Sequence, residues 1–159
     1  MVTAVRTPSA FATVRVVPHS VALGQQRALT MKLQNSSKGV SFGVVPVGHP
    51  KLSSNGLMMP GHCESALSKG CCWCTFGIGI FYNGGKYRAA PVGFACGDEV
   101  RVVVDRRPHS GNGSNGVVQF FLNDKALEAE PLPIGFVEEA VLVVSFYFKG
   151  DGVKIVSFE

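Results

Sequence analysis

The chain has 159 residues, enough for one domain that buries a core without disulfides or metal. Apolar residues make up 46% and charged residues 16%, which excludes a disordered tail or a solvating linker. Val occurs 23 times against 10 Leu, and Phe 11 times against one Trp; this β-branched and aromatic excess excludes a helix bundle or a coiled coil and points to an all-β protein. The net charge of +4 is unevenly spread, because residues 1–63 hold six basic groups and no acid, while residues 64–159 sum to −2. The basic groups of the first part are sparse and never adjacent, so nucleic acid is a weak candidate partner.

In chain order, residues 1–18 carry two Arg, hydroxyl residues and no acid, in the manner of a mitochondrial presequence. Pro8 interrupts a helix there, and Ala12, Val14 and Val16 alternate, so residues 11–17 are expected as a first strand. Residues 27–33 put Leu29, Met31 and Leu33 on one face, and residues 39–47 are apolar nearly throughout. Residues 48–70 read as loop, with at most a short strand at 57–59. Residues 72–82 read as one strand through the alternation of Phe76, Ile78, Ile80 and Tyr82. Asn83-Gly84-Gly85 is a hairpin signal, since these residues accept the positive φ of tight turns. Val100, Val102 and Val104 alternate next, then residues 106–116 form a polar, Gly-rich loop. Val118, Phe120 and Leu122 share a face, Asn123-Asp124 turns the chain, residues 141–148 form a buried run, and Asp151-Gly152 leads a hairpin into residues 153–158. Residues 126–130 and 137–140 are the only briefly helical stretches. The expected architecture is one domain over residues 1–159, a sandwich of two antiparallel sheets. No run is long enough to span a membrane as a helix.

Several of these pieces together resemble a known family. Gly97-Asp98-Glu99-Val100 with a Val run ending at Asp105, then residues 117–122 followed by Asn123-Asp124-Lys125, then residues 141–148 with Gly150 and 153–158, resemble the later strands of SPRY (B30.2-like) domains. Upstream, residues 29–33 and Ser41–Pro46 resemble that family's earlier paired strands. The resemblance spans about 27–159 and leaves 1–26 as an N-terminal strand or extension. It implies a bent, concanavalin-like β-sandwich that binds proteins or peptides through loops.

Catalytic motifs fail on context. Gly111–Gly116 fits GxGxxG, but a strand follows where a dinucleotide site needs a helix. Gly39–Gly43 fits GxSxG, yet Ser41 lies inside an alternating strand and Pro46 excludes a following helix. Asp98 and Asp105 stand a whole strand apart, too far to act as paired carboxylates, and Asp98 reads as a turn cap. His62, Cys63, Cys72 and Cys74 lack the spacing of a zinc knuckle, so Cys72 and Cys74 are expected as small buried residues, with Trp73 on the opposite face. No enzyme activity, cofactor or metal is expected. Five cysteines without a secretory signal suit free thiols in a reducing compartment, cytoplasmic or alternatively mitochondrial.

The loop residues carry the functional expectation. Tyr82, Tyr87, Arg88, Arg106, Arg107 and His109 are of the types that anchor interfaces, and two adjacent guanidinium groups can fork onto carboxylates. The expected function is a non-catalytic protein- or peptide-binding module, acting as a monomer or within a hetero-complex. The alternatives are a structural subunit of a large assembly, ribonucleoprotein or mitochondrial, and a lectin-like carbohydrate binder in which only Trp73 could stack on a sugar.

Overall fold

A computed structural model describes residues 3–6, 12–16, 19–35, 39–48, 60–61, 69–74, 79–108, 115–147 and 151–159. Expectations at residues 57–59, His62, Cys63, Phe76 and His109 lie outside these. Thirteen strands are present among the described residues, and no helix: β1 Thr3–Arg6, β2 Ala12–Arg15, β3 Gln26–Asn35, β4 Val40–Pro46, β5 Cys71–Cys74, β6 Ile80–Asn83, β7 Lys86–Ala89, β8 Glu99–Asp105, β9 Val117–Leu122, β10 Lys125–Ala126, β11 Leu132–Pro133, β12 Ala140–Phe146 and β13 Gly152–Phe158.

The strands form two antiparallel sheets. One runs β1-β13-β3-β8-β9-β10, with β11 also on β9; the other runs β2-β12-β4-β5-β6-β7. The first two strands join different sheets, since Thr3–Arg6 pairs with β13 and Ala12–Arg15 with β12. This is the β-sandwich that Val and Phe content, period-two runs and turn signals predict. The facing sides enclose an aromatic centre. Trp73 is fully buried, with its ring centroid 4.6 Å from Phe94 and 5.7 Å from Phe120, and Phe81 stacks on Phe120 at 6.0 Å. The indole N–H donates to the Val92 carbonyl at 3.1 Å, which satisfies its one polar atom.

Strands β4 and β12 are buried at every position, in keeping with runs that are apolar but for Ser41 and Ser145. The outward face of this sheet therefore carries its own clusters. Val45, Val141 and Val143 form one, and Cys72 and Cys74 pack with Tyr147 and Tyr82 to form another. Cys72 and Cys74 thus lie opposite Trp73, as the alternation indicates. Ser41 is also buried on β4 and hence in no nucleophile elbow.

Three expectations are corrected. Residues 72–82 are not one strand, because Cys71–Cys74 pairs antiparallel with Ile80–Asn83, placing Trp73 opposite Phe81. Gly79, just before β6, has φ +108°, and a Cβ there would lie 2.4 Å from the Val92 carbonyl oxygen, so the position requires glycine. Periodicity alone cannot reveal a chain reversal inside an alternating run. Residues 126–130 and 137–140 form no helix; Asn123 and Asp124, at φ 49° and 67°, turn β9 back into β10. Pro131 and Pro133 follow and supply no backbone N–H. The strands Thr3–Arg6, Lys86–Ala89, Lys125–Ala126 and Leu132–Pro133 are additional to the runs expected.

Trp73→Ala should lower stability by about 3–5 kcal/mol. Urea unfolding followed by Phe and Tyr signals checks this, with an unchanged slope expected for a purely local cavity.

Candidate binding site at one end of the sandwich

Residues 127–139 form a strap that crosses one end of the sandwich from β10 to β12. Its carbonyls are held by three side chains from elsewhere. Arg88 donates to Glu130 O at 2.6 Å, Asn83 Nδ2 donates to Pro133 O at 2.8 Å, and Arg106 donates to Phe136 O at 2.9 Å and also to Glu138 O. The Ile134 amide adds a bond to Gly116 O at 2.9 Å. The β6–β7 hairpin and the start of the 106–116 loop are thus joined at the same end through the strap.

Arg106 is corrected from a loop contact to an interior residue. It is 3% exposed, and its guanidinium faces the Phe136 ring at 5.6 Å. Besides the strap carbonyls it reaches Val21 O at 3.1 Å, and Nε donates to Asn115 O at 2.8 Å. Burial lowers its pKa from the ordinary guanidinium range, and the carboxylates of Glu138 and Glu139 oppose that shift. Arg107 is exposed but engaged: Nε and Nη2 fork onto the Asp105 carboxylate at 3.0 and 2.8 Å. That hydrogen bond raises its pKa, so the two adjacent guanidinium groups do not form a free fork. Adjacency in sequence gave no sign that one of the pair turns inward.

The hairpin residues do gather. The turn Gly84-Gly85, at φ 57° and 87°, sets Asn83 opposite Lys86, Tyr82 opposite Tyr87 and Phe81 opposite Arg88. Tyr87 is 77% exposed, and its ring lies 6.2 Å from that of Tyr82 on the outward face. Arg88 lies on the opposite face, 5.3 Å over the Phe81 ring. Between β7 and the strap lies a cleft of about 340 Å³, lined by Phe81, Asn83, Lys86, Tyr87, Arg88 and residues 130–133. A second hollow of about 590 Å³ lies on the other side of the hairpin turn, lined by Lys69, Gly84, Gly85 and residues 135–138. Sequence reasoning found the hairpin side of the cleft and missed residues 130–133, whose two prolines were the available signal.

Asp98 behaves as a turn cap, accepting from the Ala95 amide at 2.8 Å and from Asn123 Nδ2 at 3.0 Å. The thiols lie apart from the cleft. Cys71, Cys72 and Cys74 are buried, while Cys96 is exposed and donates to Gln34 O at 2.9 Å. Burial pushes the Cys71 thiol from its ordinary 9.0 up to about 12. Cys72 is raised too, first by burial and then by its neighbours Cys74 and Cys71. Among the described residues no group of His, Cys, Asp and Glu is placed to hold a metal.

Raised thiol pKa values set an alkaline limit. Between pH 9.0 and about 12 the unfolded chain gives up the Cys71 proton while the folded chain keeps it. Stability should therefore be complete below pH 9.0 and fall as pH rises toward 12, and Cys71→Ala should flatten that fall in urea titrations. Iodoacetamide at neutral pH should label Cys96 in the native protein and reach Cys71, Cys72 and Cys74 only after denaturation.

No family model and no curated protein matches the chain by sequence. Solved structures do match its fold. A human SPRY domain superposes with a TM-score of 0.63 at 14% identity, covering 92% of this chain and 86% of that one. The SPRY domain of human HERC1 gives 0.58 at 18% identity, covering 87% and 78%. The carbohydrate recognition domain of Emp46p gives 0.52 at 8% identity, covering 99% and 86%. Two packed antiparallel sheets joined in this order, and superposing on those domains, give the chain an SPRY-like, concanavalin-type β-sandwich fold.

Proposed function

We propose that this chain is a non-catalytic module that binds a protein or peptide at the strap end of its sandwich. The observation that carries this reading is the cleft between edge strand β7 and the strap, with the Tyr87 ring 77% exposed beside it. A tyrosine held on a paired strand offers a large contact area and loses little conformational freedom on binding. The strap opposite it is pinned through its carbonyls, so both walls are set before a partner arrives. Tyr87, Arg88 and Lys86 are the central contacts in this reading. Tyr82 supports Tyr87 from behind. Arg107 stands at the rim of the same end, paired with Asp105. Arg106 acts only through the strap.

Similarity to SPRY domains supports a binding role over an enzymatic one. Ser41 lies in a buried strand, far in character from an accessible nucleophile. Trp73, the residue on which a lectin-like reading rests, is fully buried in the core. Buried cysteines in no disulfide, such as Cys71 and Cys72, suit a reducing compartment, cytoplasmic or mitochondrial. No described helix is long and apolar enough to cross a membrane.

The test is affinity capture from cell extract with tagged wild type and Tyr87→Ala, followed by a titration with the recovered partner. Tyr87→Ala should weaken binding by about 2 kcal/mol, roughly thirtyfold, while stability moves by no more than about 0.5 kcal/mol. Full retention of every partner by a folded Tyr87→Ala protein would contradict the proposal. A native mass far above one chain, with Tyr87 irrelevant, would favour an assembly subunit.

A further inference from the structure

The edge strand beside the cleft has a feature that the side chains alone do not express. Among the described strands β7 is the last of its sheet, and all four of its residues are exposed. The two-residue turn makes Asn83 and Lys86 a hydrogen-bonded pair, and the Ala90 amide bond to Gly79 O at 3.1 Å fixes the same alternation from the other end. Lys86 and Arg88 therefore spend their backbone groups on β6. The N–H and C=O of Tyr87 and Ala89 point out of the sheet, and no described residue pairs with them.

We propose that β7 is a docking edge that takes up an extended acidic peptide segment as an added antiparallel strand. This rests on the binding-module reading and names its ligand chemistry. The side chains opposite Lys86 and Arg88 in an added strand fall on the cleft face, two residues apart. The cleft sets these two cations against one carboxylate, that of Glu130, so carboxylates at those two positions are favoured. Arg88 spends one donor, Nη2, on Glu130 O and has others to offer. The residue between the two carboxylates falls on the outward face beside Tyr87, where a β-branched side chain packs well. Its own N–H and C=O meet those of Tyr87, so the main chain supplies affinity and the cations supply selection. A second copy of this strand is disfavoured as the occupant, because two edges each carrying Lys86 and Arg88 would bring like charges together.

The probe is a fluorescein-labelled peptide Ser-Glu-Val-Glu-Val-Glu-Ser, followed by fluorescence anisotropy. Ala89→Pro removes an outward N–H and leaves the Tyr87 ring in place, so the β6–β7 ladder keeps its bonds and the edge is blocked. A Lys86→Glu/Arg88→Glu double variant reverses the charge. N-methylation of both Val residues in the peptide removes its strand-pairing donors without altering the protein, so the test does not depend on either variant folding. Each of the three changes should weaken binding by about tenfold or more, and replacing Glu by Lys in the peptide should abolish binding. Equal binding of the N-methylated and plain peptides would overturn strand addition, and so would no binding of the plain peptide. If the peptide fails while Tyr87→Ala still loses its captured partner, the module reading stands and this inference falls. If the peptide binds by these rules while Tyr87→Ala keeps every partner, the edge is real and the assignment of the cellular partner to this end is wrong.

Discussion

The Arg106 guanidinium lies 3% exposed among carbonyl oxygens of Val21, Asn115, Phe136 and Glu138, which come from three separate segments of chain. One planar cation with five N–H donors is suited to this, since no other side chain can serve so many acceptors in fixed directions. Burying it costs solvation, which the lowered pKa reflects, and Glu138 and Glu139 offset part of that cost. What it secures is the close of the sandwich at one end. Val21 bridges to Ala140 at the start of β12, the Gly24 amide donates to Arg106 O, and the strap is drawn down over Phe136.

The consequences reach the cleft. A strap with two prolines cannot pair as a full strand, so its position depends on side chains that reach its carbonyls. Arg106 fixes its later part, and Asn83 and Arg88 fix its earlier part from the β6–β7 hairpin. The hairpin in turn stands on the Trp73–Phe81–Phe120 packing between the sheets. Both cleft walls therefore rest on rigid elements, which is how a sandwich presents loops for recognition with little ordering cost. The edge strand that borders the cleft carries Lys86 and Arg88, whose like charges oppose pairing with a second copy of itself.

The sequence was legible where local chemistry decides structure. Period-two runs located β3, β8 and β9, nearly continuous apolar runs located β4 and β12, Asp151-Gly152 pointed to β13, and Asn83-Gly84-Gly85 and Asn123-Asp124 located their turns. The continuous run at residues 141–148 was expected to be buried, and β12 is buried at every position. It was illegible where a tertiary partner decides. The reversal between β5 and β6 sits inside an alternating pattern, and only the antiparallel pairing of Cys71–Cys74 with Ile80–Asn83 reveals it. Arg106 and Arg107 are neighbours of the same type, and their opposite fates depend on carbonyls far along the chain and on Asp105. Of the candidate site, Tyr82, Tyr87 and Arg88 were readable because a hairpin turn keeps them together in sequence. The strap was not, because it forms almost no regular structure.

The most direct measurement of this account is amide hydrogen exchange across the chain in wild type, Arg106→Met and Arg106→Lys. Met keeps much of the length and apolar stem and removes every donor, while Lys keeps the charge without the fork. The account predicts faster exchange at Ile134 and at the Val21–Ala140 bridge in both variants, more in Arg106→Met, with the central amides of β3, β8 and β12 protected as in wild type. Unchanged protection at Ile134 and Ala140, or a uniform loss over all strands, would contradict the claim that this one guanidinium closes the strap end.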